Sequence, residues 1–491
     1  MIKLSLQISF FILTLVLALF SQANAQFVEH QKLTGDREER AEFGTSVDLN
    51  ESFAVVGASR ENIATGAAYV YRKIDSNWEF SQKIQAQDGV EMAEFAGGVK
   101  LGNDFLAVAS GRADIAEMLR AGAIYIYNLV GNDFEFHTKL IASDYSDGAL
   151  LVVNPTSMDV ENNTIVAGAP GTLDWTGAVY VFEREGETWI EKQKILAPES
   201  VLYSNFGIGV SISGNYLAAG ASGENNGAGK VYIYEKNQEG LWNFTQEIQA
   251  SDAHLNTYFG NAISISGDQM VVGAYAEGHG SNNFAAAYIY ERNDSGQWIE
   301  IQKISGSEST EDSFFAWMCE MKGNRMIISE PHIYGFEPGK VLVYEKMSEG
   351  VWEEIQSLTP AEDIIEDSFG WSIAMHEDEL IIGASRDNFD ENGENEMMDA
   401  GSAFIFKAED LGNSEEISLN SIFVYPNPAK DLIHIKNTEK IQSVTIYSIS
   451  GQKILTAKES SIDVSKLQKG NYFIQIKMSA GNTKTLKFIK N

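Results

Sequence analysis

Residues 386–401 read RDNFDENGENEMMDAG. Asp387, Asp390, Asn392, Glu394 and Asp399 place oxygen ligands around Gly393. Hard cations such as calcium prefer that donor type. The spacing follows no strict loop motif, so the stretch reads as a calcium site or as a solvated loop. A second set of acids recurs: Asp36, Asp88, Glu199, Asp252, Glu308 and Glu362 each lie seven residues ahead of a repeated Phe, with Asp144 an offset equivalent. In loops such side chains accept backbone N–H bonds. Gathered on one face they would also suit a cation or a basic partner. Catalytic spacing is scarce. The seven histidines are scattered, without H-E-x-x-H or Cys/His ligand patterns. GENNGAGKV (223–231) lacks the glycine and hydroxyl of a phosphate loop, and GVSISG is a strand with a hairpin, not a nucleophile elbow. The single cysteine, Cys319, sits in FFAWMCEM and reads as a buried thiol, which excludes an intramolecular disulfide.

These residues are carried by a repeat. VVGAS (55–59) returns as AVAS (107–110), VAGAP (166–170), LAAGAS (217–222), VVGAY (271–275), IISEP (327–331) and IIGAS (381–385). In six copies a Phe stands 14 residues before the central Gly or its equivalent: Phe43, Phe95, Phe206, Phe259, Phe315 and Phe369. In the third copy that spacing lands on Asn154-Pro155, so the aromatic is missing there. An apolar run of the type GAAYVY (66–71) follows in each copy, and then an aromatic with Gln four residues later, as in Trp78/Gln82. The second copy has Phe134 and Thr138 at those places. Alternating Val, Ile, Tyr and Phe between Gly-Asn and Gly-Asp turns predicts four antiparallel strands per copy, A to D. Seven such sheets, each unable to bury both faces alone, predict an all-β, seven-bladed propeller. The seventh copy stops at Phe406 without strand D. FVEHQKL (27–33) carries the strand-D pattern, Phe27 with Gln31, so the N-terminal strand is expected to close the ring.

Phe-Gly, then VGA(S/P), then G-x-x-Y-V-Y resembles the FG-GAP repeats of the integrin alpha-subunit propeller and of many bacterial surface proteins. The resemblance covers about 27–406 and implies a propeller used for binding and adhesion. Integrin-type blades often hold calcium between strands A and B. Here those connections are short (SGN 213–215, SGD 266–268, KGN 322–324), so those cages are not expected at these positions.

After a polar linker (408–421) come FVYPNPAKDLIHI, VTIYSISGQKI, IDVSKLQKGNYFIQIKM and TKTLKFIKN. The strand pattern of 422–491 predicts a small β-sandwich. The same segments resemble the type A C-terminal sorting domain of the type IX secretion system of Bacteroidetes-like bacteria. That resemblance implies passage across the outer membrane, then release or surface attachment, with the secretion machinery as a partner. Residues 1–25, with Lys3, an apolar run and Ala23-Asn24-Ala25, read as a cleaved signal peptide, with no membrane-spanning segment expected in the mature chain.

Net charge is −33. From Ile422 onward eleven lysines face four acids, a net +7, so the body without the leader carries −41. Such a body disfavours nucleic acid and suits cations, basic partners or simple solubility. The expected protein is therefore an exported, non-enzymatic propeller (26–407) that binds a glycan or protein ligand. An extracellular hydrolase acting on polysaccharide or peptide, or a structural surface-layer component, are the alternatives. Long, variable B-to-C loops share a face with the D-to-A loops, and that face is expected to bind. The short A-to-B turns suggest a plain supporting face.

Overall fold

The computed structural model describes residues 26–36, 38–275, 285–306, 314–332, 338–361, 367–390, 392, 394–409, 423–425, 429, 432–436, 441–448, 453–458, 461–478 and 483–490. Contacts divide these into one unit ending at Glu409 and a C-terminal unit beyond it.

The first unit holds seven four-stranded antiparallel sheets. Blade one runs Phe43–Leu49, Phe53–Ala58, Ala67–Ile74 and Asn77–Ile84, from strand A to strand D. Blades two to six repeat this order, from Phe95–Leu101 to Asp133–Leu140, Met158–Glu161 to Thr188–Ile195, Phe206–Ser213 to Trp242–Ile248, Ala262–Ser266 to Trp298–Ser305, and Cys319–Lys322 to Trp352–Leu358. Blade seven takes Phe369–His376, Glu379–Ala384 and Ser402–Glu409 from the end of the repeat and Gln26–Leu33 from its start. The N-terminal strand therefore closes the ring. Its pairing even repeats an irregularity. The register shifts at His30, as it does at Ser81, His137, Lys192, Thr245, Ile301 and Ile355 in the other outer strands.

The repeated letters each have a packing reason. The Phe of strand A meets the Tyr of strand C edge-on, as in Phe43–Tyr69 (5.2 Å), Phe95–Tyr125 (5.4 Å) and Phe259–Tyr288 (5.5 Å). The glycine of VGA lies where blades touch. A Cβ on Gly168 would run into the backbone of Gly207 in the next blade. Gly177, which opens strand C at φ +86°, likewise abuts the backbone of Phe206.

The outer strands are joined by the Trp…Gln pattern. Gln82 Nε2 donates to Phe134 O at 2.9 Å, and its Oε1 accepts from Phe134 N at 2.9 Å. Gln31 holds Trp78, Gln193 holds Trp242, Gln246 holds Trp298 and Gln302 holds Trp352 by the same two bonds. Gln356 holds Phe27, at 2.6 and 2.8 Å, across the closing seam. Thr138 is too short to reach Trp189 in this way. We expect Thr138→Gln to complete the belt and stabilise the propeller by about 1 kcal/mol, the net of two hydrogen bonds less one ordered side chain. A urea titration measures this; an unchanged or lower midpoint would refute the clamp's role.

The third copy keeps its anchor, three residues upstream of where spacing alone places it. Leu151 is fully buried, and its N–H donates to Ala121 O at 3.0 Å. Phe95 and Phe206 make the equivalent bonds to Thr65 and Thr176. An inserted 3-10 turn, Pro155–Ser157, then leads into strand A. Asp144 is seven residues before Leu151, so it is in register rather than offset.

The C-terminal unit packs a three-stranded sheet (Phe423–Tyr425, Leu432–Lys436, Ser461–Asp463) with a four-stranded one (Lys453–Ala457, Ile441–Ser448, Gly470–Met478, Thr483–Lys490). Ile433 and Ile435 from the first share a core with Val444, Ile446, Ile474 and Ile476 from the second. This is the small sandwich that the strand pattern predicts.

Candidate functional site

The D-to-A and B-to-C loops gather on one face, as alternating strand directions require. The recurring acids of the D-to-A loops are tied into the blade that follows. Asp88 accepts from Tyr125 Oη (2.8 Å) on strand C and from Lys139 Nζ (2.9 Å) on strand D. Asp144 does so with Tyr180 and Lys194, and Asp252 with Tyr288 and Lys303. Asp36 takes Lys83 at 2.9 Å. At Asp252 the Lys303 bond is the largest influence and holds the carboxyl below its ordinary range. At Asp88 and Asp144 burial pushes upward, but the lysine and tyrosine bonds outweigh it and the net shift is down. Glu199 lies on the corresponding loop of blade four, and Glu308 and Glu362 fall outside the described residues.

Buried acids on the B-to-C loops, or at the end of strand B in the case of Glu330, do similar work. Glu61 pairs with Lys83 (2.7 Å), Glu224 with Lys230 (2.9 Å) and Glu330 with Lys340 (3.0 Å), each within its own blade. Asp387 is the blade-seven counterpart. Fully buried, it accepts from Lys32 Nζ (2.8 Å) on the N-terminal strand and from Ser402 and Phe389 N. Asp390 Oδ1 accepts from Asn392 N and Glu394 N, both at 2.9 Å, and its Oδ2 from Asn395. Asp399 is fixed through its backbone N–H to Asn388. Asn392 and Glu394 are exposed. Of the five calcium-candidate residues, the two buried carboxylates thus close a turn and anchor a strand. Among the described residues no three carboxylate, histidine or cysteine groups converge as a metal set. Cys319 is buried, and burial pushes its thiol well above the ordinary range.

Two further features had no signal in the repeat spacing. The first is apolar. Ile63, Met92, Leu119, Leu173, Trp175 and Tyr203 sit on loops of this face and are 44–67% exposed. Five of them, Ile63 (φ +55°), Met92 (+64°), Leu173 (+53°), Trp175 (+65°) and Tyr203 (+62°), are held in the left-handed region. That conformation is unfavourable for bulky L-residues by roughly 1–2 kcal/mol each. The second is aromatic. Tyr258 stacks on Tyr275 (5.2 Å, 13° between planes), Tyr275 meets Trp317 (5.2 Å) and Phe314 (6.0 Å), and Trp317 lies against Trp371 (4.9 Å). All five rings are half-buried.

At the opposite end of the axis the A-to-B turns are short, as expected, yet the strand-A walls there enclose a cavity of about 670 Å³. Asp48, Lys100, Asp159, Ser211, Ser264 and Glu320 line it. Several bridge circumferentially to the next blade: Asp48 to Leu101 N (2.7 Å), Asp159 to Ile212 N (2.9 Å), Ser211 to Ile265 N (3.1 Å) and Ser264 to Met321 N (3.0 Å). Burial alone would lower Lys100; Asp48, Asp159 and Glu320 outweigh it and carry its pKa up to about 12. The expected plain face is thus a charged, hydrogen-bonded funnel that ties blades together.

Comparison with known families matches the FG-GAP repeat to residues 27–71, 189–234, 242–290 and 352–406. The secretion system C-terminal sorting domain matches residues 423–491. No curated protein matches the chain.

Proposed function

We propose, for a chain built of FG-GAP blades and a type IX sorting domain that directs export across the outer membrane to the surface or beyond, that the propeller binds an extracellular ligand through its D-to-A and B-to-C loops. One observation carries this reading. Bulky apolar side chains stand exposed on that face, and the backbone beneath them is held left-handed at a cost. The repeat itself imposes this conformation, since Arg40, Asn225, Asn226 and Asn256 adopt it at equivalent positions of other blades; what points to a partner is the placing of bulky apolar residues where asparagine is better suited. Burial of these side chains against a partner recovers apolar area.

A hydrolase is the weaker reading. Of the recurring acids, Asp88, Asp144 and Asp252 are engaged with lysine and tyrosine and shifted down, while Asp367, which is shifted up, is 1% exposed. A general acid needs a raised pKa and access to the substrate together.

Glycan and protein arrays probed with the exported protein test the proposal. The variant Leu173→Ser/Trp175→Ser/Tyr203→Ser is expected to lose array signal at least tenfold, while changes on the C-to-D turns, such as Asp75→Ser with Glu239→Ser, leave it intact. The opposite ranking would place binding on the other face. Turnover of polysaccharide or peptide in a parallel screen would favour the hydrolase.

A further inference from the structure

Every copy of a repeat solves the same packing problem, so the copies together report what the scaffold demands. Immediately before the conserved Phe, four blades carry Glu42, Glu94, Asn205 and Ser368; blades five and six carry Tyr258 and Phe314. Two residues after it, Thr45, Gly97, Ile208 and Asn261 give way to Trp317 and Trp371 in blades six and seven. After VGA, the serines Ser59, Ser222 and Ser385 are replaced by Tyr275 in blade five. Blades therefore form without aromatics at any of these three positions. The five departures nevertheless meet in space, ring against ring, at centroid separations of 4.9–6.2 Å.

We propose that this aromatic sector of blades five to seven binds an uncharged polysaccharide by stacking sugar rings on Tyr258, Tyr275, Phe314, Trp317 and Trp371. The assignment rests on the loop face being the binding face. Three observations select the occupant. The rings are partly exposed and follow one another in series, which suits a chain lying across them. They are fixed in advance: Trp317 Nε1 donates to Trp371 O at 3.0 Å, and Tyr258 is held at φ +52°. Rigid rings of few rotamers lose little entropy on binding. Finally, the body carries −41. That field opposes uronate or sulfate chains and leaves sugars whose C–H faces stack and whose hydroxyls remain solvated.

The test uses the exported protein with laminarin, xyloglucan and galactomannan as neutral chains and alginate and polygalacturonate as anionic ones. Calorimetry and tryptophan emission are read together. At least one neutral chain is expected to bind and to shift the emission. Trp317→Ala/Trp371→Ala is expected to weaken that binding at least tenfold. Tyr275→Ser, which restores the residue that other blades carry and so preserves folding, is expected to weaken it at least threefold. Ile208→Ala, at the Trp position of blade four, should change nothing. Absence of binding by all three neutral chains overturns the proposal, as does tighter binding of an anionic chain or binding that survives both aromatic variants. If neutral chains fail while the Leu173/Trp175/Tyr203 variant still loses an array target, the sugar assignment falls and the binding face stands. If a sugar binds and only changes around the axial cavity reduce it, both fall.

Discussion

Deleting residues 26–33 is expected to leave blade seven with three strands and a protein that unfolds and aggregates well below the melting temperature of the intact chain. The deleted strand supplies the whole outer edge of that sheet, paired to Ser402–Glu409 from Gln26 to Leu33. Phe27 is 2% exposed and packs with Leu380, Phe404 and Phe406. Its loss alone, as Phe27→Ala, is expected to cost about 3–5 kcal/mol. Gln356 would lose both partners, and Asp387 would remain buried without Lys32. An uncovered strand edge is also a template for association. Calorimetry with light scattering measures both effects. An unchanged midpoint without aggregation would mean that the seam does not hold the ring.

Asp367→Asn is expected to stabilise the protein at pH 8 and to have little effect at pH 4. The side chain is 1% exposed, and its Oδ1 accepts from Phe369 N at 3.0 Å. Burial, with the nearby Asp387 charge adding to it, pushes the carboxyl up to about 7. The unfolded value lies near 3.9. A raised carboxyl binds its proton more tightly in the folded state. Its favourable contribution is therefore complete below about pH 4 and is lost as pH rises through about 7. The interval corresponds to roughly 4 kcal/mol. Paired urea titrations of wild type and variant across this range read the difference. A constant difference, or one that favours wild type at high pH, would refute it.

The architecture was legible because its rules are local and repeated. Strand alternation, the Phe-to-Gly spacing and the Phe27/Gln31 echo of Trp78/Gln82 all lie within short stretches of sequence. Roles that depend on distant partners were not legible. Nothing near Asp88 in sequence says that Tyr125 and Lys139 will bond it. Gln82 and Trp78 could be seen to recur together, but not that each Gln reaches the aromatic of the next blade. Leu151 was hidden by the insertion after it, since counting from Gly168 assumes a fixed length. Asp387 and Asp390 drew notice as oxygen donors. Lys32, which neutralises the first, lies more than 350 positions away. The aromatic sector escaped for the opposite reason: its residues are exceptions to the repeat, and a search for what copies share passes over them.

The clamp from Gln356 to Phe27 spans 329 residues. Its formation closes a very large loop, an entropy cost shared with other contacts of the seam, such as Ser372 Oγ to Gly44 O, but not with contacts between consecutive blades. The first strand of the propeller is the one that docks last, since its partner edge does not exist until Ser402–Glu409 has been made. Contact order of this kind slows folding. A fast phase that builds blades one to six, followed by a slower one that seats the N-terminal strand, is the kinetic signature to expect from the seam.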